Sequence, residues 1–131
     1  RERTQQWESR EEAFESLYGH GVFKGWSKEA MQAYIDYALY DAIDGVKLKC
    51  EGKIESKIFG SYPKHLWLRL EQMETPCKIL VAQRSFPFIA RSVERLEAIP
   101  AYSSATVPGG HCFMQEDPVS AVKLIKQWFL D

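Results

Sequence analysis

The chain has 131 residues, 45% of them hydrophobic and 27% charged, which is the size and composition of one ordinary soluble globular domain. Its 17 Lys and Arg stand against 18 Asp and Glu, a formal charge of -1, so no global field draws it to nucleic acid or to an anionic membrane. No apolar run approaches the ~20 residues needed to span a bilayer, and Arg1-Glu2-Arg3-Thr4-Gln5-Gln6 is too polar for a signal peptide.

The first 73 residues read as helix after helix. Ser9-Arg10-Glu11-Glu12 forms a capping box, in which the Ser9 hydroxyl accepts from the Glu12 N–H and the Glu12 carboxylate reaches back to the Ser9 amide. A helix with the apolar stripe Ala13, Phe14, Leu17 and Tyr18 follows, and Gly19 and Gly21 end it. Ser27 caps a stronger helix, where Ala30, Met31, Tyr34, Ile35, Ala38 and Leu39 recur at spacings of three and four. Asp44-Gly45 makes a turn, and Val46, Leu48 and Cys50 alternate with Lys47 and Lys49 as a brief extended piece does. A third helix runs through Ile54, Ile58 and Phe59 to Gly60. Pro63 opens a fourth, with Leu66, Trp67, Leu70 and Met73 on one face.

The pattern changes at Thr75-Pro76. Cys77-Lys78-Ile79-Leu80-Val81-Ala82 is a nearly continuous apolar run, as in a strand covered on both faces of a parallel sheet. Ile89, Val93 and Leu96 mark a helix, and Ser104-Ala105-Thr106-Val107 a second strand that ends at Pro108-Gly109-Gly110. Strand, helix and strand make a βαβ unit. Asp117 caps the last helix, Pro118 takes its first position, and Val119, Val122, Ile125 and Phe129 supply its buried face.

The stretch from Thr106 to Pro118 places His111 in a Gly-rich turn past the carboxyl end of a strand and before a helix, the edge at which α/β sheets build their sites. Gly109 and Gly110 let the backbone turn without side-chain interference, which frees the imidazole to project. A lone histidine by itself reads more readily as structural, and the order of elements around it adds weight to the chemical role.

A helical insertion, a strand opening Pro-Cys-Lys-Ile-Leu-Val, a helix, a strand, then Pro-Gly-Gly-His before a terminal helix resembles the last half of the α/β-hydrolase family. The likeness covers nearly the whole chain and is most specific around Ser9 to Tyr18, Asp44 to Cys50 and Gly109 to Pro118. It implies an α/β class with a partial α/β-hydrolase fold: a helical cap over residues 1–74, then a strand-helix-strand-helix segment over residues 75–131. The two strands resemble the family's seventh and eighth, and its catalytic histidine maps onto His111. The cap is similar to those of small esterase and lipase-like members, fungal peroxisomal and toxin-biosynthesis types among them.

Two departures bear on activity. The family's nucleophile occupies a Gly-x-Ser-x-Gly elbow, and that motif occurs nowhere in the chain; Ser61, Ser85, Ser92, Ser103, Ser104 and Ser120 all have other surroundings. The oxyanion hole belongs to the same absent half. Many relatives carry an acid soon after the seventh strand, yet Gln83 to Ala90 holds no carboxylate. Relatives that place it after the sixth strand would have it before Arg1. Glu116 and Asp117 neighbour His111, but Asp117 reads as the helix cap and Glu116 as solvated.

Trp7, Trp26, Trp67 and Trp128 lie on or beside apolar helix faces and read as core more readily than as an acyl pocket. Cys112 beside His111 is not read as a nucleophile, since neighbours on a turn rarely face one another. His20, His65 and His111 with Cys50, Cys77 and Cys112 lack metal-ligand spacing, so no metal and no cofactor is expected. An odd cysteine count fits reduced thiols in an intracellular chain, cytoplasmic or organellar, and Leu130-Asp131 is no peroxisomal address.

These readings lead to the cap and C-terminal half of a serine hydrolase acting on an ester, thioester or similar acyl substrate. Without an initiator methionine, the chain reads as a processed product or a fragment. It is expected to be incomplete alone and to need a complementary N-terminal half or a second copy. The rival is a non-catalytic, hydrolase-derived oligomerising or interaction module.

Overall fold

The computed structural model describes residues 4–130, so the termini Arg1 and Asp131 of the expected segments lie outside the described residues. The chain divides into two compact units, one from Arg1–Tyr62 with Met114–Asp131 and the other from Pro63–Phe113. This division follows neither side of the expected boundary between residues 74 and 75, because the C-terminal helix groups with the N-terminal segment.

In the first unit, β1 (Gln6–Trp7) leads into α1 (Arg10–Leu17), then α2 (Lys28–Ala38), β2 (Leu39–Ala42), β3 (Gly45–Leu48) and α3 (Gly52–Phe59). Ser9 caps α1 as expected, its hydroxyl accepting from the Glu12 N–H at 3.1 Å. The return half of the box differs: the Glu12 carboxylate accepts from the Glu8 N–H at 2.7 Å, one residue earlier than the Ser9 amide. Ser27 caps α2 through a 3.1 Å bond from the Ala30 N–H.

The expectation of helix after helix fails here. β1, β3 and β2 form a three-stranded antiparallel sheet, with Leu39 paired to Leu48, Ala42 to Gly45 and Trp7 to Val46. Leu39 continues the three-and-four spacing of α2, so its pattern reads as helix; in the structure it opens β2 and still points into the same core. That core contains Trp7, Ala13, Phe23, Met31, Ile35, Leu39, Val46 and Leu48. Met31 and Ile35 are 0% exposed and Leu39 1%, and burial of such side chains stabilises by about 1.5–3 kcal/mol each. The Trp7 indole N–H donates to Ser16 Oγ at 2.7 Å, which satisfies the only polar atom that its burial carries inward. Gly45 has a φ of 112°, and a Cβ there would run into the Trp7 carbonyl, so β1 and the hairpin can close only over a glycine.

After the short helix α6 (Phe113–Glu116), the terminal helix α7 (Pro118–Leu130) starts at Asp117, whose carboxylate accepts from the Ser120 N–H at 3.0 Å. Its inward stripe is Ala121, buried, with Leu124 and Trp128 half-buried. The face expected to be buried, Val119, Val122, Ile125 and Phe129, is instead exposed.

In the second unit, α4 (Leu66–Glu71) begins three residues later than Pro63 predicts, after His65 in the left-handed region at φ 63°. β4 (Cys77–Arg84), α5 (Pro87–Glu97) and β5 (Tyr102–Gly110) form the expected βαβ unit with a two-stranded parallel sheet. Arg95 on α5 bonds Glu71 at 2.6 Å and stacks 4.0 Å over the Trp67 ring, tying α4 to α5. Tyr102 is buried and donates to the Leu70 carbonyl at 2.9 Å, and burial raises its phenol above the ordinary value. Ala82, Val93 and Val107 complete the buried positions around the sheet, while Ile79, Leu80 and Val81 stay half-exposed. Among the described residues β4 pairs only with β5, which leaves its other edge open.

Candidate functional site

β5 is longer than its sequence suggests. It runs through Pro108 and Gly109 to Gly110, so the Gly-rich stretch is the strand's last turn and His111 stands immediately beyond it. The continuation depends on an irregularity. The register passes from Ala82 opposite Val107 to Arg84 opposite Gly110, so Gln83 on β4 stands against both Pro108 and Gly109 on β5. This is a β-bulge; it absorbs a proline that has no N–H to give and a glycine at φ 112°.

The bulge decides which residue faces His111. In the original register Ser85 would lie opposite Gly110, and after the shift it lies opposite His111. Ser85 Oγ is 2.9 Å from His111 Nδ1. Both residues stand at the carboxyl ends of adjacent parallel strands, the end of a sheet at which α/β proteins place ligands. His111 is exposed and Ser85 half-buried. The Phe86 ring packs 5.0 Å from the imidazole at 57°, and Phe88 stacks on Phe86 at 5.5 Å. The histidine is therefore held by a hydroxyl on one nitrogen and an aromatic face beside the ring, while the ring itself meets solvent.

Ser85 is the residue that sequence reasoning passed over. It lacks the elbow of a nucleophile, and nothing in its own stretch of sequence marks it as a neighbour of His111. The usable signal was positional: a polar residue directly after one strand and a histidine directly after the next come together when the strands are parallel neighbours.

The other expected residues fall elsewhere. The Asp117 carboxylate is committed to the start of α7, and its bonds to Ser120 hold it below the ordinary carboxylate range. Glu116 is half-buried against Gly25 and is not the solvated neighbour expected. Cys50 is exposed and Cys77 and Cys112 are half-buried, all three as free thiols. Among the described residues no three His, Cys, Asp or Glu side chains gather as a metal site, and no helix is long and apolar enough to cross a membrane. Trp7 lies in the core of the first unit, with Trp26 packed against it. That unit also carries an open depression of about 340 Å³ lined by Arg10, Glu11, Phe14, Glu15, Lys28 and Gln32, where charges of both signs meet solvent. It holds none of the expected site residues.

No protein-family model matches the chain, and no curated protein sequence matches it. Its structure is similar to the crystal structure of E-2-(acetamidomethylene)succinate hydrolase, with a TM-score of 0.79 over 97% of this chain at 15% sequence identity. The chain spans about half the length of that hydrolase, covering 47% of it. An identity of 15% speaks for the fold alone. The chain thus has part of an α/β-hydrolase fold, with His111 at the carboxyl edge of its parallel strands.

Proposed function

We propose that the chain supplies the cap and the C-terminal catalytic segment of an intracellular serine hydrolase, esterase-like or lipase-like, acting on a small acyl substrate. The observation that carries this reading is the placement of His111. It is solvent-facing, one residue beyond the carboxyl end of β5, and bonded through Nδ1 to a group on the adjacent strand end. A general base requires that arrangement, with one ring nitrogen held and the other presented.

The nucleophile and the oxyanion donors come from a complementary N-terminal half, and two features support its existence. The free edge of β4 carries half-exposed Ile79, Leu80 and Val81, apolar on both faces as in an interior strand of a parallel sheet. The α7 face of Val119, Val122, Ile125 and Phe129 is likewise uncovered. In the assembled protein, His111 takes the serine proton as the serine oxygen bonds to the acyl carbon. It returns that proton to the departing alcohol or thiol, then takes one from the water that attacks the acyl carbon and delivers it to the serine oxygen as the acid leaves.

The test uses the longer polypeptide with a Gly-x-Ser-x-Gly elbow ahead of this segment, or the two halves coexpressed. A fluorophosphonate probe should label its serine, and His111→Ala should slow labelling and ester turnover by about 10³–10⁴-fold. Equal turnover in the variant would remove His111 from the mechanism. A second reading, a non-catalytic interaction module, draws on the neutral Ser85 hydroxyl standing where a triad has its carboxylate. Failure of every preparation to label would favour it.

A further inference from the structure

We infer that Ser85 is the positioning residue for His111, its hydroxyl accepting the Nδ1 proton so that Nε2 carries the free lone pair outward. The inference rests on the reading of His111 as a base and deepens it. Among the described residues the hydroxyl is the one group recorded at hydrogen-bond distance from either ring nitrogen, at 2.9 Å from Nδ1. A neutral imidazole has one donor and one acceptor nitrogen, and the bond made by one fixes the role of the other. A serine hydroxyl can serve either way, and acceptance follows from the reading of His111 as a base, since an unprotonated Nε2 on a neutral ring leaves the proton on Nδ1. Phe86 packs beside the ring at 5.0 Å and limits its rotation, and the bulge puts Ser85 and His111 at the same level of the sheet.

A hydroxyl in this role differs from a carboxylate in one respect. It sets tautomer and orientation, as a carboxylate does, but it brings no negative charge to stabilise the imidazolium formed during turnover. Ser85 therefore positions without electrostatic assistance. The carboxylate variant Ser85→Asp should raise turnover of the complete enzyme, whereas Ser85→Ala should lower it about 10-fold, mainly in kcat.

The direct readout needs no activity. The chain has three histidines, so selective ¹⁵N-histidine labelling gives few signals even in a large assembly. At about pH 8.5, roughly two units above the ordinary histidine value, His111 should show a protonated Nδ1 and an unprotonated Nε2. Ser85→Ala should return the ring to the tautomer mixture of free histidine, and Ser85→Thr, which keeps the hydroxyl, should retain the native pattern. An unprotonated Nδ1 in the native chain would overturn the inference, and so would a pattern indifferent to Ser85→Ala. If His111→Ala leaves turnover unchanged while the tautomer still follows Ser85, the functional reading falls and the Ser85–His111 bond stands.

Discussion

The two units reach stability by different routes. The first closes a core of its own: α1, α2 and a small antiparallel sheet shut completely around Met31, Ile35 and Leu39. The second has a two-stranded parallel sheet with one helix across it, and its apolar strand β4 remains half-exposed along Ile79, Leu80 and Val81. Antiparallel hairpins can finish a small layer locally, whereas a parallel sheet needs further strands and a cover on each face. The candidate site lies in the unit whose sheet is unfinished.

The comparison is sharpest in a pair of truncations. Ile35→Ala should destabilise the first unit by about 2–5 kcal/mol, the cost of a cavity in a closed core. Leu80→Ala should cost only about 1 kcal/mol in the chain alone, because much of that side chain already meets water, and should cost more once a complementary half covers β4. Hydrogen exchange resolved by residue checks both. Equal losses would mean that the second unit is as closed as the first.

Gly45→Ala probes how tightly the first unit is finished. The new Cβ would meet the Trp7 carbonyl at a positive φ, for a loss of about 2–4 kcal/mol. A melting temperature unchanged by this substitution would show that β1 does not hold the hairpin closed.

The smallest expected effect concerns Asp117. Its carboxyl titrates below the ordinary value of 3.8 because Ser120 bonds the charged form, so the folded state favours the carboxylate. A depressed folded value contributes stability that is present above 3.8 and disappears as pH falls through the folded value. Asp117→Ala should therefore weaken amide protection in the first turn of α7 at neutral pH, and the difference from the native chain should vanish in acid. A difference that persists undiminished in strong acid would assign the effect to something other than this cap.

Much of this architecture was legible in the residues. Ser9, Ser27 and Asp117 announced their helices, and the apolar run from Cys77 announced β4, because caps and buried strands are local chemistry. Of the three-stranded sheet only β3 was legible, in the alternation of Val46 and Leu48 with Lys47: β1 is two residues long, and Leu39 satisfies the helical spacing of α2 and the strand position of β2 equally well. The face of α7 was misjudged because Val119, Val122, Ile125 and Phe129 are more apolar than Ala121, Leu124 and Trp128, so apolarity pointed to the uncovered side. His111 was found from its flanking glycines and the order of elements. Ser85 was missed because its role arises from pairing between strands, which no single stretch of sequence records.

The extra residue at Pro108-Gly109 also constrains how this region can change over generations. Side chains alternate across a sheet, and the alignment of Ser85 with His111 survives because the bulge takes up a difference of one residue between the two strands. Deleting Gly109 alone would remove the extra residue, and regular pairing onward from Ala82 and Val107 would still bring His111 opposite Ser85, with the bulge gone. Adding a residue to β4 near Gln83 would do the same from the other side. A further residue in β5, or one fewer in β4, would instead widen the mismatch to two residues, so descendants of this sequence can lose the bulge and keep the pairing but cannot enlarge the bulge on one strand alone.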